Sequence, residues 1–451
     1  MIINNVKGTH DVFGSEASAY SYVENIMKGI ANLYAFKEVR PPVLEHSEVF
    51  VRGVGEGSDI VRKEMYTFLD KGGRSLTIRP EFTAGVMRLI IQNKLYATNE
   101  LPLKVSYLGP LFRYERPQLG RYRQFNQFGV ESVGVNSPYA DLETIILAYS
   151  ILATLGLDNV TIKINTLGDD ETRNNYRKAL VEHFSKHIDN MCPDCKSRLE
   201  LNPLRILDCK VPEDRQYIDN APKVSDYLSE ASKERFNTIL DALDELGIPY
   251  EVDEGLVRGL DYYSETVYEF HYQSAKGNDY GAIGGGGHYD KLVAELGGPS
   301  LHGVGFSFGI ERIVSVLLDD EIITLDEVDE GIEAYVMPMG KNVMNYALGV
   351  ASTLRSNNYG VDICLEEVKL VAMFKRAEKK NVLFAVIIGD NELATETVVL
   401  KNLETQEQIT VKYDELVDKF DEIFQVEEHC HCEDEECECR HEHCDCEKHN
   451  K

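Results

Sequence analysis

FRYERPQLGRYRQF, residues 112 to 125, sets Arg113, Arg116, Arg121 and Arg123 among Phe112, Tyr114, Tyr122 and Phe125. Its flanks, KVSYLGPLFRYE and RQFNQFGVESVGV, read as strands, and the RPQLG between them carries Pro117 and Gly120 as turn residues. The pattern predicts an antiparallel hairpin closed by a longer loop. Arginine presents a rigid fork of donors that matches phosphate or carboxylate oxygens, while aromatic faces stack on a nucleobase. The alternative is an exposed hairpin whose charges are simply solvated.

The chain around this basic cluster has 451 residues and a formal net charge of −29. That length allows about three domains at ~150 residues each. Hydrophobic residues at 43% and charged residues at 27% are ordinary for a globular protein. So acidic a balance argues against general coating of nucleic acid, but it permits a local basic site. MIINNVKGTHDVF lacks a basic region followed by an apolar run, so no secretory signal is expected. The apolar run VLFAVII, 382 to 388, is far shorter than the ~18 residues of a membrane helix. A cytoplasmic protein without membrane spans is the expectation.

Outward from the hairpin, VENIMKGIANLYAF (23 to 36) has helical spacing, and YADLETIILAYSILATLG (139 to 156) predicts a helix stopped by Gly156. Residues 1–168 and 251–325 read as one strand-rich core, interrupted by a charged, helix-rich insertion over 169–250. LVRGLDYYSETVYEFHY (256 to 272) reads as a strand, and VGFSFGIERIVSVL (304 to 317) as a strand running into a helix. Over 331–425, strand and helix patterns alternate (EAYVMPMG, NVMNYALGVASTLRSNNYG, VDICLE, VKLVAMFKRAEKK, NVLFAVIIGD), then ETVVLKNLETQEQITV suggests a hairpin. That alternation predicts a small α/β domain with a partly parallel sheet. The fold class is therefore α+β, an antiparallel core with an insertion, followed by an α/β domain.

The glycine run 284–287 has neither the GxGxxG context of a dinucleotide site nor the GK[ST] of a P-loop. It reads instead as backbone that lets a ligand approach closely. CPDC at 192 to 195 with Cys209 gives three thiols at zinc-like spacing; no fourth ligand is evident, and buried or free cysteines are the alternative.

At the level of residues, FRYERPQLGRYRQF resembles motif 2 of the class II aminoacyl-tRNA synthetases, in its histidyl-tRNA synthetase form. KGTHDVF (7 to 13) resembles that family's N-terminal signature, and VRPPVLE (39 to 45) its dimer-forming motif 1. TIRPEFTAGVMR (77 to 88) and QFNQFGVE (124 to 131) resemble its histidine-binding segments. LVRGLDYYSETVYEF and GAIGGGGHYD resemble two blocks specific to the histidine enzymes, and GFSFGIERI resembles motif 3. The blocks follow family order over residues 7 to 313, and the α/β domain resembles an anticodon-binding domain.

The resemblance implies a class II antiparallel catalytic core and a histidine–tRNA ligase: L-histidine and ATP give histidyl-adenylate and pyrophosphate, then the histidyl group passes to the 3′ end of tRNA(His). It implies Arg113 at the α-phosphate, Glu115 and Phe125 at adenine, and Arg121 and Arg312 at the β- and γ-phosphates with Mg²⁺. Arg258 would serve as the catalytic guanidinium at the α-phosphate. Glu81, Thr83 and Gln127 would take the α-amino group, Glu131 and Tyr263 the imidazole, with Tyr262 and Tyr289 lining the pocket. Gln118 and Arg123 would meet the tRNA acceptor end, and motif 1 implies a homodimer. His288 stands where arginine is usual, and His10 where glutamine or arginine is usual. With histidine titrating near ~6.5, the expectation is a neighbouring cation lost at neutral pH. The runner-up is a regulatory paralogue partnering ATP phosphoribosyltransferase; those proteins generally lack the anticodon domain and have degraded catalytic arginines.

The end of the chain is a separate object. HCHCEDE, ECECRHE and HCDCEKH (429 to 449) are three seven-residue units, each with a CxC pair. Cys430, Cys432, Cys437, Cys439, Cys444 and Cys446, with five histidines, suit Zn²⁺ or Cu⁺. The segment 427–451 is expected to be disordered without a ligand, and a merely solvating acidic tail is the alternative. A metal-storage protein judged by this tail would leave the rest of the chain unexplained.

Overall fold

The computed structural model describes residues 3–97, 101–116, 121–329 and 331–427, with side chains up to residue 423. It divides into two compact units, Met1–Asp329 and Glu330–Lys451. Among the described residues the first unit has strands β1 (Lys37–Glu38), β2 (Leu44–His46), β3 (Tyr66–Leu69), β4 (Ser75–Ile78), β5 (Leu103–Phe112), β6 (Gln124–Val133), β7 (Val160–Thr166), β8 (Tyr250–Val252), β9 (Ser264–Tyr272), β10 (Ala282–Tyr289) and β11 (Gly303–Gly309). Eight of them form a sheet in the order β1-β5-β6-β11-β10-β9-β7-β8. It is antiparallel except at its two ends, where β1 runs parallel to β5 and β8 parallel to β7. β2, β4 and β3 make a small antiparallel sheet of their own.

The expected hairpin is β5 and β6, in continuous register from Leu103 opposite Val133 to Phe112 opposite Gln124. Helix Ser15–Leu33 turns Ala19, Val23, Met27 and Ala31 to the core at the four-residue spacing of one helix face. Helix Pro138–Thr154 starts where Ser137 accepts a hydrogen bond from the Tyr139 N–H, and Gly156 follows its end at φ +78°. Leu147, Ile151 and Leu152 on it are fully buried, each side chain contributing roughly 1.5–3 kcal/mol.

The insertion splits by its packing. Tyr176, Leu180, Phe184, Cys195, Ile206 and Cys209 form a separate small core. Helix Glu230–Glu245 instead sends Phe236, Ile239 and Leu243 into the main core beside the sheet. The strand expected from residue 256 begins only at Ser264. Side chains take the preceding backbone groups: Asn165 Nδ2 donates to the Leu256 carbonyl (3.0 Å) and Arg205 Nη1 to the Arg258 carbonyl (3.0 Å). Those two carbonyls need no ladder partner, and residues 256–263 follow an irregular path.

In the second unit β12 (Ala334–Pro338), β13 (Val361–Ile363), β14 (Phe384–Ile388), β15 (Thr397–Asn402) and β16 (Gln408–Lys412) take the order β13-β12-β14-β15-β16. The first three are parallel and the rest antiparallel. Helices Met344–Ser356 and Leu370–Glu378 are the crossovers that parallel neighbours require, and Leu416–Glu427 closes the unit. Among the described residues no helix is long and apolar enough to cross a membrane.

Candidate active site

A cavity of about 390 Å³ opens on the sheet where β5, β6, β10 and β11 run side by side. Its polar groups sort by charge. Glu81, Thr83, Gln127 and Glu131 line it with Tyr262, Tyr263 and Tyr289; Arg113, Arg121, Arg258 and Arg312 line it with Glu115 and Phe125.

Glu131, on β6, is 2% exposed and is held by three hydroxyls. Thr83 Oγ1 donates to its Oε1 (2.7 Å), Tyr107 Oη to the same oxygen (3.1 Å) and Tyr289 Oη to Oε2 (2.9 Å). Two glycines make room for this. A Cβ on Gly129 would lie 2.4 Å from Tyr107 Oη, and one on Gly305 would lie 2.1 Å from Glu131 Oε2. Burial pushes the Glu131 carboxyl up to about 7, against the opposing pull of its hydroxyl donors. Glu81 is also pushed up to about 7 by burial. Its Oε1 accepts from the Ala84 N–H at the start of helix Thr83–Gln92 (2.9 Å), while its Oε2 is buried without a partner. An incoming ammonium group is the natural partner for such an oxygen. The rings of Tyr262 and Tyr263 lie 4.6 Å apart, and Tyr262 meets Tyr289 edge-on at 5.7 Å.

At the cationic side Arg113 Nε donates to the Pro80 carbonyl (2.8 Å), and its guanidinium sits 5.3 Å over the Phe125 ring. Glu115 stands only loosely against Arg113 (3.8 Å) and Arg121 (4.0 Å). Arg312 Nη1 donates to the Ala282 carbonyl; burial first, and the charge of Arg121 next, push Arg312 below its ordinary range. Two crowded guanidiniums are an anion site by electrostatics. Arg258 Nη1 donates to Glu269 Oε1, and its carbon lies 5.7 Å from the Tyr263 ring centre. Its Nε is buried without a partner. The glycine run is strand β10, where a Cβ on Gly285 would come within 2.7 Å of Arg258 Nη1 and one on Gly287 within 2.9 Å of the Tyr263 ring. These glycines admit the protein's own Arg258 and Tyr263 against the sheet.

Other expected residues fall elsewhere. Arg123 stacks 4.0 Å over the Tyr114 ring and donates through Nε to the Glu115 carbonyl (3.3 Å), outside the cavity lining. Gln118 and the six tail cysteines lie outside the described residues. His10 packs on Tyr122, ring centres 4.4 Å apart.

The expectation of a lost cation at His288 is corrected. His288 is fully buried, with Nδ1 against Asp141 Oδ1 (2.9 Å) and Nε2 against Asp290 Oδ1 (2.9 Å). Burial opposes its charge, but the two carboxylates outweigh that and push it up to about 9, so it is cationic at neutral pH. It serves an internal network with Arg235 and does not line the cavity.

The sequence reading missed Tyr107, Arg205, Glu269 and Glu311. Glu311 lines the cavity, accepts from the Asn126 N–H (2.7 Å) and keeps an unpartnered Oε2; burial pushes it up to about 7. The signal for Tyr107 was Gly129 opposite it in the hairpin register. The others depend on contacts between distant segments.

A pocket joining buried carboxylates to converging guanidiniums suits a small amino-bearing substrate and a polyphosphate, and sequence comparison agrees. The family model described as Histidyl-tRNA synthetase matches residues 8–313, and one described as Anticodon binding domain matches 333–423. The histidine–tRNA ligase of Bacillus subtilis (strain 168) is 45% identical over 417 residues, 92% of this chain and 97% of that protein. That of Thermosipho melanesiensis is 44% identical over 412 residues, 91% of this chain and 97% of that one. The crystal structure of apo S. aureus histidyl-tRNA synthetase superposes with a TM-score of 0.79 at 36% identity, over 93% of this chain and 100% of that chain. The chain belongs to the histidyl-tRNA synthetase family.

Proposed function

We propose that this protein is a histidine–tRNA ligase that activates L-histidine with ATP and esterifies the 3′ end of tRNA(His). The observation that carries the reading is Glu131, a buried carboxylate with three hydroxyl donors, in one cavity with Arg113 and Arg258. A carboxylate can accept at about four positions, so one remains for an imidazole N–H. Glu81 Oε2 takes the α-ammonium, with Thr83 and Gln127 beside it, while Tyr262, Tyr263 and Tyr289 wall the imidazole.

Activation then joins the histidine carboxylate to the α-phosphorus and releases pyrophosphate. Charge builds on the equatorial oxygens, where Arg113 and Arg258 provide fixed donors. Phe125 is the adenine platform with Glu115 at its edge, and Arg121 and Arg312 hold the outer phosphates. Mg²⁺ neutralises those phosphates when bound; Glu115 and Glu311, with its orphaned Oε2, are the carboxylates that fit it. Gln118 and Arg123 meet the acceptor end of the tRNA, and the second unit reads the anticodon. The retained arginines and this second unit favour the ligase over the regulatory paralogue.

The reading includes a homodimer, supported by exposed apolar side chains within motif 1 and on the small sheet: Val43, Leu44, Phe68 and Leu69. Sedimentation equilibrium tests it, and a monomer at micromolar concentration counts against it. It includes a cytoplasmic location and Zn²⁺ or Cu⁺ on the tail cysteines, the latter tested by metal titration of the full chain against one ending at residue 427. Histidine-dependent ATP–pyrophosphate exchange tests the function itself.

A further inference from the structure

The insertion holds a cluster that histidine activation does not use. Cys192, Cys195, Cys209 and Asp214 each offer one ligand atom, and the four atoms lie within 4.8 Å of one another. We propose that these residues bind one Zn²⁺, and that the ion braces the arm of the insertion reaching the active site.

The geometry is already that of a closed site. Cys192 Sγ and Cys209 Sγ are 3.8 Å apart. Two thiolates on a tetrahedral ion at ~2.3 Å each would stand ~3.8 Å apart. Cys192 precedes helix Pro193–Leu201, and its sulfur accepts from the Cys195 N–H (3.4 Å), a backbone donor that stabilises a thiolate. Cys209 Sγ donates its proton to Asp214 Oδ2 (3.4 Å), so a proton now lies between two ligand atoms that a metal would join. The Cys192 N–H contacts both Asp214 oxygens (3.2 and 3.1 Å), orienting the carboxylate as a supporting hydrogen bond does in metal sites.

The charge argument is independent of the spacing. Asp214 is 1% exposed, yet among the described residues no lysine, arginine or histidine forms an ion pair with it. Its charge is met only by hydrogen-bond donors, the Cys192 N–H and the Cys209 thiol, and by no cation in direct contact. Beside it lie two cysteines that are almost fully buried, Cys195 at 0% and Cys209 at 3%. A divalent ion bound in place of three thiol protons would give Asp214 a cation in direct contact, while the cluster as a whole would pass from −1 to −2, and Cys₃ with a carboxylate in a closed tetrahedral set fits Zn²⁺ better than Mg²⁺ or Ca²⁺.

The ligands bracket residues with work elsewhere. Between Cys195 and Cys209 lie Arg198 and Arg205, which both reach Asp59 Oδ2, at 3.0 and 3.3 Å. Arg205 also holds the Arg258 carbonyl (3.0 Å), and Asp59 and Arg205 line the cavity. Between Cys192 and Cys195, Asp194 meets Lys63 (3.0 Å). The ion would therefore fix the segment that positions the backbone of Arg258, with Arg205 as a positioning residue.

The test uses the full chain with the six tail cysteines replaced by serine, so that metal on the tail does not count. Elemental analysis after dialysis should find about one zinc per chain, and adding Cys195→Ser should remove it. Because that substitution could unfold the insertion, the second measurement leaves the site intact. Exchange into Co²⁺ should give the intense visible bands of a tetrahedral ion and a sulfur-to-cobalt band near the ultraviolet, with Asp214→Cys restoring or strengthening the latter. Zinc below about a tenth of an equivalent, zinc retained after Cys195→Ser, or an octahedral cobalt spectrum would each overturn the proposal.

Discussion

Replacing Glu131 with glutamine keeps the side-chain volume and changes only what its head can accept. In the protein Oε1 takes the hydroxyls of Thr83 and Tyr107, and Oε2 takes Tyr289, leaving one acceptor position for the ligand. An amide has a single oxygen with two acceptor sites. If that oxygen keeps Thr83 and Tyr107, the amide N–H₂ can donate to the Tyr289 hydroxyl, which turns to accept, but it meets the imidazole N–H donor against donor. If it turns the other way, the ligand keeps a partner but loses the charge. A hydrogen bond to a charged group is worth ~1.5–3 kcal/mol, and a donor left unpaired costs ~1–3 kcal/mol more. About 3 kcal/mol, at ~1.4 kcal/mol per tenfold, predicts a loss of roughly 100-fold in kcat/KM for histidine. The assay is ATP–pyrophosphate exchange with histidine varied at saturating ATP, and KM for ATP should stay within about twofold. Stability should move the other way. Burial raises the Glu131 carboxyl to about 7, so ionising it on going to higher pH costs folded-state stability that a neutral amide does not lose. At about pH 8 the variant should melt no lower than its parent. A change below about threefold in kcat/KM would refute the assignment of Glu131 to the imidazole.

Gly285→Ala places a Cβ 2.7 Å from Arg258 Nη1 and equally close to the Tyr268 carbonyl; single-turnover adenylate formation should slow by at least about 10-fold, and because the second clash is with backbone of the neighbouring strand the melting temperature should fall as well. Arg205→Lys cannot span Asp59 and the Arg258 carbonyl together, so kcat should fall more than KM for ATP changes, whereas a purely structural role would lower the melting temperature and leave kcat intact. His288 is raised from 6.5 to about 9 by Asp141 and Asp290. Its contribution is fully present below the unfolded value and is lost as pH rises through about 9, a span worth about 3 kcal/mol. His288→Asn should flatten the fall of stability over that alkaline range in denaturant titrations, and an unchanged slope would contradict the network.

The parts of the site that lie in contiguous blocks were legible in the sequence. Arg113, Glu115 and Phe125 sit on one hairpin whose register follows from alternation and turn residues, and Arg312 sits at a strand-to-helix junction that glycine and the apolar pattern announce. The partners that tune those residues were not legible. Glu269 reaches Arg258 only because β9 lies beside the irregular 256–263 segment, in which Asn165 and Arg205 take the carbonyls of Leu256 and Arg258. The same holds for His288. Its residue type suggested a neutral ring, while its protonation is set by Asp141, distant in sequence. In the insertion three thiols were visible from spacing, but Asp214 comes from a short turn with no signature of its own.

The central claim is that the guanidinium of Arg258 and the acidic pocket act on one histidine and one ATP. It is tested most directly by ATP–pyrophosphate exchange with and without histidine, in the parent and in Arg258→Ala. The account predicts exchange that requires histidine and falls by at least about 100-fold in the variant, with the variant's melting temperature near the parent's. Exchange that proceeds without histidine, or that Arg258→Ala leaves intact, would contradict it.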